Sequence, residues 1–233
     1  MIDEKQILTL HTVELRHVAR GAFIDFRGRV ADHVLSETDF AFWNMADARV
    51  DFQLSESTRR EVAWASHNGI GYQVRRPDTK HYFKDRSLKY FGALLRTPGY
   101  VLPVVGRFGL RVQCFMRSRL DFEALFGRVS THFSFSEQAA PFGGRLVDIG
   151  PVVVVKRGKV DVRARYGPLS VAESTAVLQN LEAAEPPGVG FFLDLDQSMT
   201  DLGSLSQKQV ASSLSDLDAA AWEVINKFAS VLE

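Results

Sequence analysis

The run V-V-G-R-F-G-L-R-V-Q-C-F-M-R, Val104 to Arg117, decides how the rest of the chain is read. As a strand it places Phe108, Leu110, Val112 and Cys114 on one face and Arg107, Gly109, Arg111 and Gln113 on the other, because successive strand side chains alternate. One face is that of a protein interior. The other carries two arginines, which must reach solvent or find anions. A strand of this kind belongs at the centre of a sheet with one covered and one polar face.

Outward from it, the flanking segments alternate strand and helix patterns. Gln6 to Val18 alternates with an irregularity near Thr12. Ala22 to Val30, with Asp25, Arg27 and Arg29 at polar positions, reads as its hairpin partner across Ala19-Arg20-Gly21. Ser36 to Met45 fits a short helix or a loop. Arg49 to Leu54 and Arg60 to Trp64 alternate, and Asn68-Gly69 turns the chain into a strand over Gly71 to Arg75. Asp85 is placed to cap a helix bearing Leu88, Phe91, Leu94 and Leu95, closed by Thr97-Pro98-Gly99.

Beyond the central strand, Asp121 opens a short helical turn and Val129 to Phe135 alternates as a strand. Gln138 to Gly144 reads as a linker. Arg145 to Lys156 ends in Val152-Val153-Val154-Val155, a run that asks for cover on both faces. Arg157-Gly158-Lys159 turns it back into Val160 to Tyr166. Ser170 with Glu173 and Ser206 with Gln209 are capping boxes for two further helices, separated by the strand G-F-F-L-D-L-D. In the last helix Val210, Leu214, Leu217, Ala221, Val224, Ile225, Phe228 and Val231 form an amphipathic stripe.

The pattern predicts an α+β protein: antiparallel sheets with three to four helices packed on one side, and two loosely related halves. Residues 1–137 form a sheet-rich half with one helix and the central strand. Residues 138–233 supply a hairpin, a helix, a strand and the final helix, and one continuous domain is the alternative division. The 233 residues suffice for a large core. Lys plus Arg and Asp plus Glu each total 28, so overall charge argues for no polyanionic partner, and any basic face must be local. The acidic start M-I-D-E-K and the lack of a long apolar run predict a soluble, cytoplasmic protein without a membrane contact. The single cysteine, Cys114, excludes an internal disulfide and, mid-strand among large apolar neighbours, reads as an inert buried thiol.

Several side-chain sets carry chemistry. Arg107 with Arg111, Arg163 with Arg165, and Lys156 with Lys159 can line a sheet face as an anion-binding surface, since guanidinium groups offer forked donors to phosphate oxygens. The alternative is neutralisation by strand carboxylates such as Asp25, Asp51, Asp148 and Asp161. Asp194 and Asp196 at a strand end are candidate ligands of a divalent cation, weighed against a solvated strand edge. His11, His17, His33, His67, His81 and His132 show no metal-ligand spacing, and no phosphate loop, dinucleotide fingerprint or nucleophile elbow is present. No catalytic residue and no cofactor are assigned from the sequence.

Arg107-Phe108-Gly109-Leu110-Arg111, the strand Phe192-Leu193-Asp194-Leu195-Asp196 and the helix from Leu217 to Phe228 resemble a sporadically distributed family of bacterial proteins with no established activity. Its members carry a motif close to R-I-G-L-R-Y-I-N and an L-D-I-D strand before a long closing helix. Val112-Gln113-Cys114 departs from the Y-I-N half. The resemblance implies fold and element order rather than a ligand. Three functions follow as expectations. The first is a non-enzymatic accessory protein that binds itself, as a homodimer, or another protein. The second is a binder of nucleic acid or nucleotide through the arginine-bearing face. The third is a metal-dependent phosphohydrolase using Asp194 and Asp196.

Overall fold

In the computed structural model, which describes residues 7–56, 60–143 and 146–232, nine strands form one antiparallel sheet. The strands are β1 (Ile7–His17), β2 (Phe42–Ala46), β3 (Arg49–Gln53), β4 (Glu61–Ser66), β5 (Gly69–Arg75), β6 (Val105–Arg117), β7 (Val152–Arg157), β8 (Val160–Leu169) and β9 (Gly190–Gly203). Their order is β2-β3-β4-β5-β1-β6-β9-β8-β7. The sheet runs through both halves of the chain, because β9 pairs with β6 on one side and β8 on the other. Gln6, Gly144 and Arg145, at the margins of three sequence-based assignments, lie outside the described residues.

The helices are α1 (Ala22–Glu37), α2 (Tyr82–Arg96), α3 (Phe122–His132), a short α4 (Phe135–Ala139), α5 (Val171–Asn180) and α6 (Gln207–Val231). Helices α1, α2, α3 and α6 cover one face, where Val13, Leu15, Phe52, Ile70, Tyr72, Leu110, Val112 and Leu193 are buried. Along β6 the alternation holds as expected: Phe108, Leu110, Val112 and Cys114 are fully buried, and Arg111 is exposed. The final helix also matches, with Val210, Leu214, Leu217, Ala221 and Ile225 against the sheet and Ser206–Gln209 closing both arms of its capping box. Ser170 and Glu173 do the same for α5, and the hydroxyl of Ser170 holds the Glu173 carboxyl below its ordinary range. Among the described residues no helix is long and apolar enough to cross a membrane.

Six local expectations fail, each for a physical reason. Ser36 to Met45 is not simply a short helix or a loop: α1 runs to Glu37, and Phe42–Ala46 is strand β2, drawn into the sheet by pairing with β3. Residues 22–37 form helix α1 rather than a hairpin strand. Ile24, Phe26 and Val30 satisfy a two-residue period, but Phe23, Val30, Ala31 and Val34 continue a helical one and are the buried set. Arg27 and Arg29 therefore leave the sheet: Arg27 bonds to the Asp47 carbonyl and Arg29 lies over the Phe26 ring. Likewise, the turn opened by Asp121, which accepts from the Ala124 amide, continues to His132 as α3, so 129–132 is helix. Helix α2 starts at Tyr82, three residues before Asp85.

The irregularity at Thr12 is no bulge. Strand β1 is regular there, and its pattern switches because Leu8 and Leu10 lie under α5 on the opposite face while Val13 and Leu15 face the main core. The last miss is the valine run. Val152, Val153, Val154 and Val155 are 50%, 40%, 69% and 51% exposed, because β7 is the edge of the sheet and neither face is covered.

Candidate functional site

The face opposite the main helix layer is open except where α5 seals one end with Leu178 and Leu181 on Leu10 and Phe115. Strand register sets what it displays. Arg163, Asp196, Arg111, Thr12 and Gln73 lie in one cross-strand row, and Arg165, Asp194, Gln113 and Leu10 in the next. The two carboxylates of β9 thus lie between arginines of β8 and β6.

Most of the cations are tied. Arg111 donates from Nε and Nη2 to Asp194 at 2.8 and 2.6 Å, a forked pair, and this bond to Asp194 raises the Arg111 pKa further. Arg107 lies along β6 over Gly109 and donates from Nη2 to both oxygens of Asp196 at 2.9 and 3.1 Å. A side chain at Gly109 would meet the guanidinium carbon at 3.1 Å, so the glycine makes the route available. Arg16 pairs with Glu14 on its own strand at 2.7 Å. These groups line a hollow of about 320 Å3 with Thr12 as part of its floor. The expected neutralisation is therefore present, but Asp194 and Asp196 provide it for the central strand instead of Asp25, which lies on α1.

The assigned basic residues do not all share this fate. Lys156 is 3.7 Å from Asp161, and Lys159 sits in the turn between β7 and β8. Arg163 and Arg165 are exposed and make no side-chain hydrogen bond or ion pair among the described residues. Asp194 and Asp196 stand opposite them, but Arg111 and Arg107 bridge both oxygens of those carboxylates from the other side. The same bonds engage both oxygens of each aspartate that the sequence offers as a metal ligand. Among the described residues, no three His, Cys, Asp or Glu side chains converge on a point.

Sequence reading missed a second hollow, of about 340 Å3, on β2 to β5. Trp64 lies flat on Gly71, where any Cβ would sit 2.1 Å from the indole, and Arg49 stacks over Trp64 at 4.9 Å while pairing with Asp51 at 2.6 Å. The i, i+2 sets Arg49–Asp51–Gln53 and Gly71–Gln73–Arg75 were the signal for this polar floor.

A buried polar cluster lies beneath α6. His11 on β1 is wholly buried, with Nε2 3.0 Å from Thr9 Oγ1 and Phe83 and Trp222 against its ring. Burial pushes its pKa down to about 3. Asp218, one turn before Trp222 on α6, is only 4% exposed, and burial pushes its carboxyl up to about 6 against the pull of Lys84, His81 and Lys80 and with the push of Asp85. Burial likewise raises the Cys114 thiol well above its ordinary value, leaving it unionised and inert.

Comparison with protein-family models, with curated proteins and with solved structures finds no match for this chain.

Proposed function

We propose that this protein is a cytoplasmic, non-enzymatic accessory module that works by self-association, pairing with a second copy through strand β7. The observation that carries the reading is the row of four exposed valines on an edge strand with neither face covered. The Tyr166 amide bonds to the Pro151 carbonyl, and antiparallel alternation then turns the backbone groups of Val152, Val154 and Lys156 away from β8. These are free to pair.

A two-fold axis normal to the sheet matches residues of the same face with one another. Centred on Val153, it sets Val152 against Val154 of the second copy and Pro151 against Val155. Lys156 and Arg157 are kept away from their own counterparts. Valine then meets valine on both faces of one continuous sheet. The opposite edge supports the choice of β7, since β2 is five residues long and Arg27 of α1 bonds to its Met45 sulfur and to Asp47 beyond its end.

Light scattering tests the reading. The wild-type chain at tens of micromolar should show twice the single-chain mass and a melting temperature that rises with concentration, and Val154→Lys should show the single-chain mass, the wild-type circular-dichroism spectrum and a melting temperature independent of concentration. Lysine is a standard protection of free strand edges. A single-chain mass for the wild type refutes the pairing.

A further inference from the structure

We propose that the open face carries a nucleic-acid backbone site built on Arg163 and Arg165 of β8 with Lys156 of β7, doubled about the β7 dyad and fitted to a double helix. The two-fold form rests on the self-association above; the strip itself belongs to each chain. Three observations converge on it.

First, Arg163 and Arg165 are exposed cations with no partner among the described residues, on a face where the neighbouring arginines are tied to carboxylates. They lie two residues apart on one strand, so their guanidinium groups project from the same face about 7 Å apart along it. Lys156 lies in the row next to Arg163, held only by a loose contact with Asp161 at 3.7 Å.

Second, the strip lies outside the two hollows described above, which are lined by β1, β6 and β9 and by β2 to β5, whereas Arg163 and Arg165 stand beside Val152 and Val154. A small ligand has nothing there to enclose it. A polymer that is read along its charge has a continuous surface to lie on.

Third, symmetry and the placement of aromatic rings select the form of the polymer. Pairing through β7 leaves the two β8 strands three strand spacings apart, about 14 Å, running antiparallel across the dyad. Paired backbones of a duplex are likewise antiparallel and two-fold related, and two-fold proteins use this match. Binding of single strands relies on bases stacking against exposed rings. Among the described residues the exposed aromatic side chains, Phe42 and Trp43, lie on β2 at the other edge of the sheet.

The test is fluorescence anisotropy with a labelled DNA duplex of roughly 20 base pairs, beside the single strand of equal length and with polyglutamate as competitor, each protein sample being weighed by light scattering. The dimeric wild type should bind the duplex at low salt, more tightly than the single strand, and polyglutamate should displace little of it. Six phosphate contacts per dimer correspond to a slope of roughly −5 in the logarithm of affinity against the logarithm of salt.

The double variant Arg163→Ala/Arg165→Ala should remain dimeric, lose at least tenfold in affinity and bring the slope to roughly −2, as four of the six contacts are gone. A dimer that binds no duplex, or one whose binding and slope ignore the double variant, overturns the site and leaves self-association standing. A monomer whose duplex binding still depends on Arg163 and Arg165 overturns the pairing and keeps the strip. Equal affinity for the single strand, or full displacement by polyglutamate, overturns the duplex assignment.

Discussion

Leu110 and Arg111 are neighbours in the chain, yet they live in different media. Leu110 is fully buried beneath the helix layer, and Arg111 is half-exposed on the open face with Asp194 in its fork. The two faces of the same sheet are held by different physics. On the helix side, apolar area removed from water does the work, at about 25 cal/mol for each Å2. The open side is a lattice of charges facing a high-dielectric solvent, where each pair contributes little and many arrangements are nearly equivalent. Stability resides mainly on one face, and the other contributes little to it.

The sharpest way to break this contrast is to cut each neighbour in turn. Leu110→Ala should lower unfolding free energy by about 2–5 kcal/mol, measured by denaturant titration, because a fully enclosed site cannot collapse around the missing atoms. A loss below about 1 kcal/mol would mean that the helix layer is not closely packed on β6.

Asp218→Asn sharpens the comparison from within the covered side. The folded protein holds a proton on Asp218 up to about pH 6, whereas the unfolded chain releases it near the ordinary value of 3.8. The stability this carboxyl contributes is present at low pH and lost as pH rises through about 6. The variant should therefore be more stable than wild type by about 1–3 kcal/mol at pH 7, with the difference vanishing below roughly pH 4. His11 works in the opposite direction: its folded pKa of about 3 makes stability fall as pH drops from 6.5 towards 3. Melting curves from pH 4 to pH 8 separate the two, since the variant should retain only the decline on the acid side.

Arg111→Ala, the other half of the neighbour pair, should cost no more than about 1 kcal/mol, and less as salt is raised. Asp194 does not go without a cation, because Arg165 stands directly opposite it on β8. Denaturant titrations at low and high salt measure this. A loss as large as that of Leu110→Ala would show that the open face is structural after all.

Much of the fold is legible in the chain. The two-residue period of Arg107 to Cys114 and the long helical stripe of α6 each persist for many residues and meet the one helix–sheet core, so pattern and outcome agree. Residues 22–30 are different: a window of that length accommodates both periods, and Ala31 and Val34 are needed to decide. The β7 valines defeat pattern reading in another way. An apolar run states that cover is wanted, and cannot state whether the same chain provides it.

The open-face residues were legible one strand at a time. Their partners were not, because β9 is inserted between β6 and β8, so Asp194 meets Arg111 from 83 residues away. The stacking of Trp64 on Gly71 is equally a matter of register.

That insertion of β9 also sets an order of events during synthesis. Strands β6, β7 and β8 leave the ribosome before β9, and the place between β6 and β8 stays empty until Gly190 to Gly203 arrives. Until then the thirteen-residue β6 offers a long unpaired edge, and the β7–β8 hairpin has no strand to join to the rest of the sheet. A nascent chain paused between β8 and β9 therefore displays two sticky edges together, the state in which chaperones that hold unfinished sheets find their substrate. Release comes with β9, and α6, which follows immediately, closes over the core that β9 has just completed.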